Sequence, residues 1–212
     1  MLLAITLHEA AHGFVAWRLG DDTAYRLGRV SANPVRHIDP VGTILIPGIL
    51  YLSGSSFLFG YAKPVPVQVR NLRNPRRDSM LVAAAGPAAN LLIALASAVL
   101  INVALTLPDQ ARDWTGHTLI NSMSLNIALA VFNLIPIPPL DGSRVLLGLL
   151  PQPLAAIYGR LFRFGLLLVL GIIFILPLLG RNLGINLDII GWMMHHPVQY
   201  LWRILLPLTG LD

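Results

Sequence analysis

LLAITLHEAAHGFVAWRLG, residues 2–20, is an apolar stretch of helical length in which only Thr6, His8, Glu9, His12 and Arg18 between Leu2 and Leu19 are neither apolar nor small. His8 and His12 stand at i and i+4, so on a helix both rings leave one face with their Cβ atoms about 6 Å apart. Two imidazole nitrogens so placed can reach one ion at about 2.0–2.1 Å. Glu9 lies one position on, where its longer side chain can curl toward water held beside that ion. HExxH in this form supplies two ligands and a base. Histidines hydrogen-bonded in a packed core are the plain alternative, but a carboxylate at membrane depth costs at least about 2.5 kcal/mol on insertion scales, which argues that Glu9 has work to do there.

That the stretch belongs in a membrane follows from composition. Of 212 residues 55% are hydrophobic and 12% charged, and the mean hydropathy is +0.69, values of a membrane protein. A bilayer-spanning helix needs about 20 mostly apolar residues. Residues 1–19, 79–107, 119–135 continuing past a proline cluster to 150, and 161–179 meet that need. Segments 41–60 and 185–208 are apolar but interrupted by Gly, Pro or polar residues, and read as half-spans or surface-lying pieces. The predicted fold is therefore an all-α polytopic membrane protein with four or more transmembrane helices and a re-entrant, β-like hairpin between the first and second full spans. No charged leader precedes the first span, which argues against a cleaved signal peptide; the span begins at Met1 without a flank, which points to an upstream segment absent from this chain. The chain has no cysteine, so neither disulfides nor thiolate ligands are available.

The net charge of +5 is informative by position. Arg18, Arg26, Arg29 and Arg36 follow the first span, and Lys63, Arg70, Arg73, Arg76 and Arg77 precede the next full one. Both clusters favour the cytoplasmic side, and a hairpin at 41–60 keeps them together there. The loop 107–117, with Asp109 and Asp113 against Arg112, then lies outside. Because these arginines border membrane segments, the charge is read as orientation in a cell membrane and not as a nucleic-acid-binding face.

A catalytic zinc takes three protein ligands and keeps an open position. Of the ten acidic residues, Asp21, Asp22, Asp39, Asp78, Asp109 and Asp113 fall in polar loops, Asp212 is terminal and Glu9 is assigned, which leaves Asp141 and Asp188. His37 and His117 fall in loops; His195 and His196 diverge by about 100° on a helix and would chelate poorly together. Asp141 has the better setting, since Pro136, Pro138 and Pro139 end one helix and prepare another, placing Asp141 in a first turn where the helix dipole favours a carboxylate. A helix cap alone is the competing role. Toward the end of the chain, Trp192, Tyr200, Trp202 and Arg203 mark an interfacial segment.

HEAAH (8–12), AGPAANLL (85–92) and NLIPIPPLDG (133–142), with HIDPVGTILIP (37–47) and FGYAKPVPV (59–67) between them, resemble the site-2 protease family of intramembrane zinc metalloproteases, peptidase family M50, in its compact bacterial form without a PDZ domain. The resemblance covers about residues 1–150, expected to be the protease core, with 151–212 as C-terminal membrane helices, one of them interfacial. It implies one Zn2+ per chain held by His8, His12 and Asp141, Glu9 as general base, and hydrolysis of peptide bonds in or near transmembrane segments of protein substrates. The active site would lie toward the cytoplasmic side of the plasma membrane, in the service of regulated intramembrane proteolysis.

Asn133 and Asn90 are amides at membrane depth. The resemblance encourages a role in holding the scissile strand or polarising its carbonyl, against plain interhelical hydrogen bonding. In YAKPVPVQV (61–69), Lys63, Val65 and Val67 alternate with Pro64, Pro66 and Gln68, as in an edge strand that could receive an unwound substrate; a loop closing the hairpin is the other reading. Two rival functions share the same helices, an inactive homologue that binds membrane proteins and a zinc transporter. The first has no use for Glu9, and the second would need ligands staged along a path.

Overall fold

The structure is a computed structural model and describes residues 1–53 and 63–211. Its α-helices are α1 (Leu2–Arg18), α2 (Thr23–Arg26), α3 (Ile46–Leu52), α4 (Pro75–Ala104), α5 (Asp109–Leu134), α6 (Asp141–Leu149), α7 (Gln152–Gly159), α8 (Gly165–Leu170), α9 (Leu176–Leu183) and α10 (Ile189–Leu205). Helix α4 is central, with α1, α5 and α6 packed on it. Along α1 the buried positions Ala4, His8, His12 and Ala16 recur every fourth residue. These four form one stripe of the helix, with Thr6 and Gly13 buried on another face, and the small ends of the stripe let the two imidazoles approach α4 closely. Beyond the stripe Ala16 joins Leu72 and Val82 in one apolar cluster, with Val67 packed against it. A second cluster joins Ala94 and Ala98 of α4 to Met123, Ile127 and Val131 of α5 and Leu205 of α10.

Among the described residues two helices are long and apolar enough to cross a membrane, Pro75–Ala104 and the continuous run Gln152–Leu183. At 1.5 Å per residue they measure about 45 and 48 Å, more than the hydrocarbon core of about 30 Å. The first begins four residues before the expected 79–107 and ends three short of it, and the second extends beyond the expected 161–179 at both ends. Pro75 supplies a first-turn start for α4, and the second run absorbs a 3-10 turn at Arg160–Phe164 and a wide turn at Gly171–Ile175 without ending.

The prolines interrupt the apolar run 119–150 between Leu134 and Asp141 and start α6 afresh, in line with their expected role of ending one helix and preparing another. Two expectations change. The stretch 107–117 is largely helix and not loop, since α5 begins at Asp109, directly after Pro108, where a carboxylate in the first turn complements the dipole. In the hairpin region, Pro40–Leu52 is a short apolar helix, about 20 Å long and too short to span. The β-like character is not found: residues 63–68 are neither helix nor strand, and among the described residues there is no strand for them to pair with. The rest of the expected hairpin, 54–62, lies outside the described residues.

Candidate metal centre

Helix α1 carries His8 and His12 toward α4, and the break after α5 delivers Asp141 to the same point at the start of α6. Nε2 of His8 and Nε2 of His12 are 3.1 Å apart. Asp141 Oδ2 lies 3.1 Å from the first and 3.3 Å from the second. Three ligands about 2.0–2.1 Å from a tetrahedral ion would stand about 3.3 Å from one another, so these atoms are spaced as such a set requires. Asp141 Oδ2 is buried and has no hydrogen-bond partner among the described residues, a condition that costs free energy unless a cation or donor satisfies it. Among the described residues these three form the group able to hold a metal ion.

The backbone makes room for them. A Cβ on Gly86 of α4 would meet Nε2 of both histidines at 2.5 Å, so only glycine lets α4 pass behind the rings. Next door, Pro87 has no N–H to give to Ala83 four residues back, and the adjacent carbonyl of Val82 accepts a hydrogen bond of 2.7 Å from His12 Nδ1. A Cβ on Gly142 would overlap the Leu134 carbonyl at 2.1 Å, which allows α6 to fold back against the end of α5 beside Asp141.

Glu9 faces a cavity of about 570 Å3 whose walls include His8, His12, Val65, Asn133, Asp141 and Arg144. Its Oε2 accepts a hydrogen bond of 2.8 Å from the backbone N–H of Val65. The extended segment is also held at its ends. The Lys63 N–H donates to the His37 carbonyl at 2.9 Å, and the Gln68 N–H donates to Asp21 Oδ2 at 2.6 Å. Asp21 is fully buried and accepts further bonds from the Thr23 hydroxyl and the Asn71 amide. Burial is the largest single influence on its carboxyl and pushes its pKa up, but the bonds from Thr23, Asn71 and Gln68 together outweigh it and hold the group below the ordinary carboxylate range.

Family comparisons were made with this geometry in hand. The model of peptidase family M50 matches residues 103–176, a range that holds Asp141 and stops short of the histidines. Over 182 residues the chain is 38% identical to YwhC of Bacillus subtilis, covering 84% of this chain and 79% of YwhC. The chain belongs to peptidase family M50. It is also 33% identical over 141 residues to Rip2 of Mycolicibacterium smegmatis and 35% identical over 142 residues to Rip2 of Mycobacterium tuberculosis, covering 66% of this chain and 52% of each relative. The chain thus spans about half the length of the Rip2 proteins. YwhC and Rip2 carry the name of zinc metalloproteases, and two imidazoles with a carboxylate form a set that suits zinc. No solved structure matches the chain. Membership makes this chain a peptidase of a membrane-protein family, in keeping with its two long apolar helices.

The other candidate residues separate. Asn133, Val65 and Val67 line the cleft; one N–H of the Asn133 amide donates to the Leu129 carbonyl. Lys63 is exposed and not part of the lining. Asn90 is fully buried away from the cleft, with Oδ1 on His8 Nδ1 and Nδ2 on Asn126 Oδ1. Its amide is spent on a histidine and on Asn126, the interhelical hydrogen bonding that stood as the alternative to a contact with substrate. Asp188 caps α10 through the Gly191 N–H, and the rings of His195 and His196 lie 5.2 Å apart outside the metal group. Sequence reasoning passed over Asn126 and treated Asp21 as a loop residue. An amide in an apolar helix was a signal for the first; nothing local marked the second.

Proposed function

We propose that this chain is a membrane-embedded zinc endopeptidase that hydrolyses peptide bonds in or near the membrane-spanning segments of protein substrates. The convergence of His8 Nε2, His12 Nε2 and an otherwise unpartnered Asp141 Oδ2, beside Glu9 in an open cleft, carries this reading. His8, His12 and Asp141 would hold zinc, which when bound supplies Lewis acidity toward a peptide carbonyl and toward water.

Glu9 is the general base. It takes a proton from the attacking water as the C–O bond forms, then delivers that proton to the amine nitrogen as the C–N bond breaks. The Val65 N–H holds one carboxylate oxygen of Glu9 and leaves the other for this exchange. Asn133 keeps one N–H and its Oδ1 beyond the bond to Leu129, enough to hold the scissile strand or to steady the carbonyl oxygen as charge develops on it. The extended segment 63–68, which has no strand paired to it among the described residues, lies along the cleft through Val65 and Val67, where an unwound substrate segment can lie beside it.

Four spans fit this assignment: α1, α4, α5 and the run 152–183, with Pro40–Leu52 as the described arm of a re-entrant element. Residues 1–150 form the protease core, and 151–212 add C-terminal helices, with α10 at the interface. The arginines after α1 and before α4 then share the cytoplasmic side of the plasma membrane, and the site sits toward that side, near the starts of α4 and α6 and the end of α5. Regulated cleavage of a membrane-tethered protein is the process such a site serves.

The test is to purify the wild type and Glu9→Gln in detergent and to measure bound zinc and cleavage of single-span model proteins. About one zinc per chain in both, with cleavage in the mutant reduced by about 100-fold to 10,000-fold, is the expected result. Zinc in both with equal cleavage would remove Glu9 from the mechanism. Zinc with no cleavage in either would favour a binding role, and no zinc in the wild type would overturn the site.

A further inference from the structure

Behind His8, on the side away from the cleft, a line of polar groups runs through otherwise apolar packing. His8 Nδ1 meets Asn90 Oδ1 at 2.5 Å. Asn90 Nδ2 donates to Asn126 Oδ1 at 2.8 Å, and Asn126 Nδ2 donates to the Ser122 backbone carbonyl at 2.8 Å. Asn90 is 0% exposed and Asn126 1%. Amides so enclosed cost free energy unless each end is satisfied, and here the chain of bonds joins α1, α4 and α5 at the candidate ligand.

The direction of every bond in this chain is set from its far end. A backbone carbonyl only accepts, so Asn126 must turn its NH2 toward Ser122 and its oxygen toward Asn90. Asn90 must then offer its own NH2 to Asn126 and its oxygen to His8. An oxygen at His8 Nδ1 requires Nδ1 to carry the proton, and a neutral imidazole protonated at Nδ1 has its lone pair at Nε2. That is the atom directed at Asp141 and His12. For His12 the same choice is made directly by the Val82 carbonyl; for His8 it is made by two side chains.

From this we infer that Asn90 and Asn126 are positioning residues that fix the His8 tautomer and ring orientation, so that Nε2 is presented as a metal ligand before any metal arrives. The inference rests on the reading of His8 as a ligand. Partners of this kind, when lost, cost about 10-fold to 100-fold in metal affinity. Asn126 touches neither His8 nor the cleft, yet its loss frees Asn90 to rotate and offer an NH2 to Nδ1, the wrong group for a ligand histidine.

The experiment measures the zinc dissociation constant by chelator competition, and the melting temperature of the zinc-free chain, for the wild type and four variants in detergent. Asn90→Leu should weaken zinc by about 10-fold to 100-fold, and Asn126→Leu by about 10-fold at the lower end of that range. Asn90→Asp keeps an acceptor for Nδ1–H, and Asn126→Asp keeps an acceptor for Asn90; both should hold zinc more tightly than the leucine variants whatever their zinc-free melting temperatures. Affinity that instead follows the melting temperature across all four variants would show that the amides only fasten helices together, and would overturn the inference. So would unchanged affinity in Asn90→Leu. If Asn90→Leu does not fold, the Asn126 pair decides by the same comparison. A wild type without zinc would overturn the ligand reading itself, whereas a zinc-binding wild type with indifferent variants would overturn this inference alone.

Discussion

The two long apolar helices are made on opposite plans. In α4, 39% of the most apolar window is buried inside the protein; in 152–183 the share is 6%. Helix α4 carries Asp78, Asn90 and Ser97 in buried positions, and each has a hydrogen-bond partner. From Gly165 to Gly180 the other run has no polar side chain at all. It also continues through a wide turn at Gly171–Ile175. Where protein is the surrounding medium, directional polar contacts fix one register. Where lipid is, any side chain of similar hydrophobicity does equally well.

Glycine offers the sharpest way to break this contrast. At Gly86 an added methyl would sit 2.5 Å from both Nε2 atoms, whereas at Gly171 it would meet nothing within 4 Å. Gly86→Ala should abolish measurable zinc binding and lower cleavage by about 100-fold or more, as displacement of a reacting group by about 1 Å does. Gly171→Ala should leave both unchanged and raise thermal stability slightly, by at most about 1 kcal/mol, the helix preference of alanine over glycine. Zinc titration and melting of the two variants side by side check this, and equal effects would erase the distinction between the helices.

The same contrast explains what the sequence disclosed. The i, i+4 spacing of His8 and His12 lies within one turn of one helix, and Asp141 stood out because a carboxylate beside a proline cluster has few other settings, so the three residues that converge were all visible beforehand. The contacts that hold the cleft in shape were not. Glu9 to Val65 and Asp21 to Gln68 join residues 56 and 47 positions apart, and no periodicity signals such pairs. The proline cluster was visible as the end of one helix and the start of another, and α5 and α6 divide there. In the run 152–183 apolar composition marked the span as 161–179 but not its ends, which lie at Gln152 and Leu183.

Asp21 tests whether the polar contacts around the core position the cleft wall. Its carboxyl titrates below the ordinary range in the folded chain, so the bonds to Gln68, Thr23 and Asn71 are in place above the unfolded value of about 3.9 and are lost as pH falls through the lower folded value. At neutral pH the clamp is complete. Asp21→Asn replaces one acceptor by an NH2 and removes the charge that strengthens the others. Hydrogen exchange at the Gln68 amide should rise, and cleavage should fall by about 10-fold, equivalent to about 1.4 kcal/mol on the barrier, with zinc content unchanged. Unaltered exchange at Gln68 would mean that the segment is held without Asp21.

The smallest effect is expected at Leu167, and it bears most directly on how the second helix is solvated. Leu167 is 69% exposed, while Ile127, in the cluster between α4, α5 and α10, is 0% exposed. Truncating Ile127 leaves a cavity that neighbours on three helices cannot collapse to fill, at a cost of about 2–5 kcal/mol. Truncating Leu167 leaves a gap that a lipid or detergent tail fills, so the lost contacts are replaced by equivalent ones and the transfer term is close to nil. Leu167→Ala should therefore change the unfolding free energy in detergent by less than about 0.5 kcal/mol. A cost matching that of Ile127→Ala would mean that another protein surface, and not lipid, covers the outer face of 152–183, and the two helices would then share one plan.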